Sequence, residues 1–439
     1  MNLSSPGIFG LLMMVILIIL ILLRLRIAFA LIVTSIIGLL LISNVSALLG
    51  AFRSIPYSRV AVWELLPIPL FIVMGNLAFA SGITDKAFGC ALKWLGWLPG
   101  GLGVAAIGTC ALFAACSGSS SASAGAMGRT ILPVLLAQKY DKKLSTGLLA
   151  AGGLLAVMIP PSIIFVIYGV VTETSIPRLL LAGVFPGILT ATMFALTISL
   201  KVKWEPALAP NRVYSNWRTR LVSLKEIWGI ILLAGIIMGG IYGGIFTATE
   251  AAAVGAVAAL VLALLGGRKN FFGIVESFRE TVNVSAMIFI LIVGAGLLAF
   301  TINLKGVPQW FVESITELNI PNFWVLLIIF GIYFLLGMFV DTISMMLVTL
   351  PVVFPVIVKL GYDPIWFGVL VVKFNEIGMI TPPFGINIYV LKGVSPSYIT
   401  LEDIFRGIMP FLFVELITVA ILCAFPEIST WLPSRMIGQ

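Results

Sequence analysis

Two adjacent prolines interrupt an apolar stretch that is long enough to cross a bilayer. The stretch reads ITPPFGIN from Ile380 to Asn387, inside a run that extends from about 366 to 391. Two prolines in succession remove two backbone donors, and their rings clash with the preceding turn, so a continuous helix cannot pass this point. A second break, Pro160-Pro161, falls in the middle of the apolar run 145–173. Freed backbone groups are costly in hydrocarbon, so such breaks are tolerable only where something polar occupies the gap.

The surroundings of both breaks are lipid-like. Of 439 residues, 60% are hydrophobic and 10% charged, and mean hydropathy is +1.16, against about 25% charged in an ordinary soluble domain. The chain therefore reads as an integral membrane protein whose chemistry lies in or near the bilayer. Its net charge of +8 comes from basic residues beside apolar segments, which is the positive-inside pattern and gives no sign of nucleic-acid binding. Cys90, Cys110, Cys116 and Cys423 are scattered without paired spacing, so they suggest small core residues and neither a disulfide framework nor a metal site. Histidine is absent and no GxxxxGK[ST] occurs, which argues against a histidine-based protease and an ATP-driven pump. The first apolar run, ending before Arg24 and Arg26, lacks a basic start and a small-residue cleavage site; it reads as a first span and not as a signal peptide.

A spanning helix needs about 20 apolar residues. By that rule full spans are expected at 7–23, 27–50, 65–83, 177–200, 227–244, 248–266, 281–303 and 403–426, with broken spans at 145–173 and 364–393. The region 101–138, with CSGSSSASAGAMG (Cys116 to Gly128) at its centre, fits a re-entrant hairpin with a small polar tip, and so does 323–360, centred on FVDTIS (Phe339 to Ser344). Amphipathic pieces at 87–98 and 307–318, carrying Trp94, Trp97 and Trp310, suit arms that link a moving hairpin unit to a frame, or simple interfacial connectors.

These elements occur twice. An offset of 222 carries Pro133 onto Pro355, Tyr140 onto Tyr362, Asp141 onto Asp363, both proline pairs onto each other, and Ser119-Ser120 onto Asp341-Thr342. The basic segment 201–226, with Arg24/Arg26, Lys139/Lys142/Lys143 and Arg268/Lys269, is placed on the cytoplasmic side, which makes the two repeats inverted. The fold class is accordingly an all-α integral membrane protein with two inverted-topology repeats, each holding a re-entrant hairpin and a broken transmembrane helix. The expected divisions are N-terminal scaffold helices (1–64), a first repeat (65–200), a solvated cytoplasmic loop (201–226), scaffold helices and a loop (227–280), a second repeat (281–426) and a tail (427–439).

Two breaks related by an inverted repeat, each partnered by a polar hairpin tip, are how secondary transporters build a midplane site. The first site would pair Ser117, Gly118, Ser119 and Ser120 with Pro160, Pro161 and Ser162. The second would pair Asp341 and Thr342 with Gly378, Thr381 and Pro382, with Asn387 reaching in. Hard oxygen ligands suit an alkali cation, with sodium the simplest choice, and an acid within a membrane segment marks a functional candidate. Other readings stay open at this point: the serines as a close-packing surface, and Asp341 as an acid in an outer loop. Lys373 and Glu376, three apart on one helix face, read as a structural ion pair.

MIPPSIIFVIYG (Met158 to Gly169), EIGMITPPFGIN (Glu376 to Asn387), SGSSSASAGAMG (Ser117 to Gly128) and GIFTATEAAAVGA (Gly244 to Ala256) together resemble the large membrane subunit of tripartite ATP-independent periplasmic (TRAP) transporters, over nearly the whole chain. The resemblance implies sodium-coupled import of an organic acid, such as a C4-dicarboxylate or sialic acid, by an elevator motion in the inner membrane. It implies two partners, a small four-helix membrane subunit and a soluble periplasmic binding protein; no four-span block precedes the first repeat, so the small subunit would be a separate chain. It also implies that the first-tip serines, Ser162, Asp341 and Thr381 are cation and substrate positions; Glu250 receives no role, and Ser120, Thr342 and Asn387 stand with Ser162, Asp341 and Thr381 as candidate substrate contacts from the site reading above. Uninterrupted Ser119-Ser120-Ser121, and Thr342 after Asp341, depart from a family pattern that often has proline. The rival readings are a stand-alone sodium/dicarboxylate or citrate symporter and, more remotely, a membrane-embedded enzyme using Ser119 and a lysine base.

Overall fold

The structure is a computed structural model, described over residues 5–209, 212–265, 271–317, 320–383 and 385–435. All regular elements among the described residues are helical. The N-terminal frame begins with α1 (Pro6–Leu22), α2 (Ile27–Ile42) and α3 (Val45–Val60). The span expected at 27–50 therefore ends early. Asn44 accepts a hydrogen bond from Ala47 N at 2.9 Å, and this strong N-cap starts a separate helix where an unbroken apolar run had been expected.

The first repeat follows as α4 (Pro67–Ala80), the arm α5 (Ile83–Leu95), and a hairpin of α6 (Gly101–Ser117), α7 (Ser120–Thr130) and α8 (Leu132–Ala137). The broken helix is α9 (Lys142–Gly152), α10 (Leu155–Met158) and α11 (Ile163–Thr172), bent by 44° at the prolines. After α12 (Ile176–Ala182) and α13 (Val184–Trp204) come α14 (Trp217–Leu224) and α15 (Trp228–Ala234), which continues through a π-helical turn, Gly235–Gly239, into α16 (Gly240–Tyr242). Two frame helices, α17 (Ala248–Leu265) and α18 (Phe271–Leu304), precede the second arm α19 (Val307–Glu317), the hairpin α20 (Asn322–Gly337) and α21 (Thr342–Lys359), and the broken helix α22 (Pro364–Ile380) and α23 (Ile386–Val394). Helices α24 (Leu401–Ala424) and α25 (Glu427–Thr430) close the described chain.

Among the described residues six helices are long and apolar enough to cross a membrane, or up to eight if each bent pair counts as one. α21, expected as half of a hairpin, is one of the six by length, yet it returns from the 338–341 turn to lie against α20. α1 and α2 are shorter, at 17 and 16 residues, whereas α18 runs 34 residues and begins well before the span expected at 281–303.

Several positions 222 apart fold alike. Ser119 and Asp341 are both N-caps, of α7 and α21, and Asp141 and Asp363 cap α9 and α22. Lys139 and Gly361, also 222 apart, are both left-handed at the preceding turn.

The helices sort into two packed groups. α2, α3, α4, α17 and α18 pack on one another as a frame, while the hairpins, the broken helices, α13 and α24 form a second bundle. Within that bundle α9 and α24 meet glycine to glycine: a Cβ on Gly407 would lie against Lys143 O and one on Gly147 against Gly407 O. Lys142 locks the same pair of helix starts by an ion pair to Asp403 at 2.8 Å.

The described residues of 201–226 are mostly exposed, as expected from their charge, and several of them also contact the first arm. Trp94 of the first arm donates to Arg220 O at 3.1 Å and meets Trp217 edge-on at 6.2 Å. Lys93 pairs with Glu226 at 2.9 Å, and Asp141 N donates to Leu208 O at 2.9 Å. The segment is a strap across the arm, because its tryptophan and backbone carbonyls find partners there that charge counting does not reveal. The basic pair Arg268/Lys269, and Leu318 at the end of the second arm, lie outside the described residues.

Candidate functional site

Each hairpin turns at its polar tip for a local reason. Gly118 takes φ +64°, a left-handed conformation open to glycine, and Ser119 then caps α7 by accepting from Ala122 N. In the second hairpin Asp341 caps α21, accepting from Ser344 N at 3.1 Å and from the Ser344 hydroxyl at 2.6 Å. The tips are thus helix N-termini, which carry partial positive charge and unused donors.

The tips come together at one carboxylate. Thr342 Oγ1 donates to Glu376 Oε1 at 3.3 Å, and Ser120 Oγ lies 3.4 Å from the same oxygen. Ser120 and Thr342 are equivalent positions of the two repeats. Glu376 is 1% exposed, and its other oxygen, Oε2, has no hydrogen-bond partner among the described residues. The same is true of both side-chain polar atoms of Asn375 and of Asn387 Nδ2, all buried. Buried polar atoms are nearly always satisfied, so Glu376 Oε2 is short of a donor or a cation, while the amide nitrogens of Asn375 and Asn387 are short of acceptors.

Beside the tips lies a cavity of about 500 Å³. Ser117, Gly118, Ser119, Ser120, Asp341, Thr342 and Glu376 line it from the bundle, and Gly75, Asn76, Phe79, Glu280 and Met287 from frame helices α4 and α18. It therefore sits on the seam between the two helix groups. Asn76 reaches across the frame to Ser277 O and Thr281 Oγ1, each at 3.4 Å.

The remaining expected residues stand behind this wall. Gly118 abuts the first break, where a Cβ would lie 3.0 Å from Pro161 O; Pro160 is buried there, and Ser162 caps α11 by accepting from Phe165 N at 3.3 Å. Thr381 turns inward on its own helix, donating to Ile377 O at 2.6 Å, and Pro382 is half-buried in the turn. Gly378 lets α22 approach the second hairpin, since a Cβ would lie 2.6 Å from Gly337 Cα.

Asn387 lies beside the first tip: its Oδ1 is 3.5 Å from Ser120 Oγ. The reason is a crossover. α7 packs on α23, and α21 packs on α11, so each hairpin lies against the other repeat's post-break helix. Gly125 and Gly128 give α7 a flat face for Val390, Leu391 and Val394.

The expected Lys373–Glu376 pair is not formed. Lys373 instead pairs with Glu415 of α24 and donates to Thr190 Oγ1 of α13 at 2.7 Å, with both charged side chains fully buried. Helical spacing puts residues 373 and 376 on neighbouring faces, but tertiary packing supplies a better acid on one side and two hydroxyls on the other. Glu376 and Arg129, both in the cavity wall, are the site residues that sequence reasoning missed; a lone long basic side chain on a helix made mostly of small residues was the available signal for Arg129. Glu250 forms a capping box with Thr247, whose N and hydroxyl donate to its Oε2 at 2.8 and 2.9 Å. All four cysteines are free, and three of them are buried.

An all-helical membrane chain that folds two polar-tipped hairpins and two interrupted helices around a cavity is built as a transport protein. The fold is shared with the YdaH transporter of Alcanivorax borkumensis, with TM-score 0.56 over 88% of this chain and 89% of that one at 13% identity. Residues 14–428 match the family described as tripartite ATP-independent periplasmic transporter, DctM component. Relatives include the C4-dicarboxylate TRAP transporter large permease protein DctM of Vibrio cholerae, 31% identical over 86% of this chain and 87% of that protein. The sialic acid TRAP transporter large permease protein SiaM of the same organism is 32% identical, again over 86% and 87%. The chain belongs to the DctM family of TRAP transporter large permeases, and is a transporter subunit, not an enzyme.

Proposed function

We propose that this permease imports an organic anion across the inner membrane, driven by sodium and supplied by a periplasmic binding protein, with a small membrane subunit as its second partner. The observation that carries this reading is the charge of the cavity. Glu280, Asp341 and Glu376 line it against Arg129 alone among the described residues. Two charges about 4 Å apart interact by roughly 4 kcal/mol at an effective dielectric of 20. An anion entering this wall is therefore repelled unless a cation enters with it.

The residues present suit sodium. Asp341 and Glu376 offer oxygens, Ser119, Ser120 and Thr342 offer hydroxyls, and no histidine or cysteine sulfur lines the cavity; such a set is chosen by hard cations. Cation binding at the tips removes the repulsion, which ties anion binding to sodium. The seam between frame and bundle supports an elevator mechanism, in which the hairpin bundle carries the cavity past α4 and α18, with the repeats inverted so that the second hairpin faces the opposite side.

The test is uptake of labelled succinate, N-acetylneuraminate and a short sulfonate into proteoliposomes with and without an inward sodium gradient. The chain alone is compared with the chain plus small subunit and binding protein. Sodium-dependent uptake only in the complete set is the expected result. Uptake by the chain alone refutes the tripartite reading in favour of a self-sufficient symporter, and uptake that ignores sodium refutes the coupling.

A further inference from the structure

The acids of the cavity account for cations, which leaves open what holds the anion. We propose that Arg129 receives the acidic group, carboxylate or sulfonate, of the transported compound; this deepens the reading of the chain as an organic-anion importer and rests on it. Arg129 is the one basic side chain among the described residues that line the cavity. It makes no ion pair and no hydrogen bond through its guanidinium within the described structure, although three carboxylates share the same walls. Its charge is available to a ligand.

Its position is built. The guanidinium carbon lies 5.8 Å from the centroid of the Phe79 ring, and Phe79 is held edge-on by Phe113 at 6.2 Å and 72°. Both phenylalanines line the cavity. A guanidinium over an aromatic face stays charged and keeps its in-plane N–H donors for another partner, and those donors match a carboxylate or sulfonate in bidentate fashion.

The helix sets the spacing. Arg129 follows Ser120 by nine residues on α7, which at helical rise is about 14 Å along the axis. The side chain covers part of that distance and a compact organic anion the rest, so one end of the ligand meets Arg129 while the other meets the hydroxyl-bearing tips. Since Phe79 belongs to the frame and Arg129 to the bundle, the contact also reports how the two groups sit.

The experiment compares wild type, Arg129→Gln and Arg129→Lys in the complete reconstituted set, using whichever of labelled succinate, N-acetylneuraminate or isethionate the wild type takes up fastest. KM for that anion and the sodium concentration for half-maximal rate are both measured. Loss of a bidentate charge-assisted contact should raise KM in Arg129→Gln by about thirtyfold, a value within the range for hydrogen bonds to charged groups. The sodium half-saturation at saturating anion should stay unchanged, and Arg129→Lys should fall between. An unchanged KM in Arg129→Gln overturns the proposal, as does a fall in maximal rate alone, which marks a structural or membrane-anchoring role. Where Arg129→Gln is not recovered as a monodisperse protein, Arg129→Lys decides: a several-fold rise in KM supports the assignment and none overturns it. Wild type without sodium-dependent uptake refutes the transport reading, and this proposal falls with it; active wild type with an indifferent Arg129→Gln removes only Arg129.

Discussion

Gly75 offers a perturbation whose cost depends on how frame and bundle sit. A Cβ placed there would lie 2.4 Å from Cys116 O and 3.2 Å from Ser117 Cα. Both are backbone atoms at the end of α6, where the first tip begins, so no side chain can rotate away. Ordinary van der Waals contact begins at about 3.4 Å, an ångström farther, and overpacking of this kind costs about 1–3 kcal/mol. Because α4 belongs to the frame and α6 to the bundle, Gly75→Ala penalises this arrangement and spares one in which the bundle has moved. The equilibrium between the two should shift by roughly 5- to 150-fold. Ala122 lines the cavity and is exposed, so Ala122→Cys in a chain stripped of its natural cysteines reports access by maleimide labelling. Gly75→Ala should slow that labelling while the melting temperature holds. Unchanged labelling with a lower melting temperature would mean Gly75 is static packing and the seam does not slide; no change in either would refute the contact itself.

Three further outcomes follow from the same geometry. Glu376→Gln keeps hydrogen-bond acceptors for Ser120 and Thr342 but removes the charge, and should raise the sodium concentration for half-maximal uptake at least tenfold, at about 1.5 kcal/mol or more for a charged partner; an unchanged sodium titration would exclude Glu376 from the cation site. Asp341→Asn and Asp341→Ala should both abolish sodium-driven uptake, but only the alanine variant should also lose the α21 cap seen at Ser344, at about 1 kcal/mol, which thermal melting in detergent distinguishes. Lys373→Met leaves Glu415 buried without its partner and should cost about 3–5 kcal/mol, whereas Lys373→Met with Glu415→Leu should recover most of that; a single variant as stable as wild type would show that the pair carries no weight.

Much of the architecture was legible because lipid makes backbone polarity visible in sequence. Proline pairs, a glycine-serine tip and a tip acid stand out within apolar runs, and each marks a turn in the structure. What local patterns could not convey was partner choice. Lys373 and Glu376 are near neighbours on one helix, so spacing pairs them, yet Glu415 and Thr190 arrive from α24 and α13 and take Lys373. Sequence proximity places Asn387 with Asp341 and Thr342, and the crossover of α7 onto α23 also brings it to Ser120. Charge density over 201–226 reads as solvation, and most of the described residues there are exposed, but only the fold shows Trp94 opposite Trp217.

The duplication also explains where the cavity's chemistry had to appear. At the offset of 222, Glu376 corresponds to Leu154, Arg129 to Pro351, Asp341 to Ser119 and Asn387 to Phe165. Ser120 and Thr342 remain alike, and both face Glu376. A symmetric duplicate carrying two acids in that place would set like charges against each other in low dielectric, which favours keeping one of them neutral. Replacing one by a buried leucine achieves this permanently, and lets the paired hydroxyls converge on a single carboxylate. The charged residues of the cavity are therefore the positions at which the repeats disagree. The proline breaks recur at this offset because they build the fold, whereas the charges of the cavity do not recur.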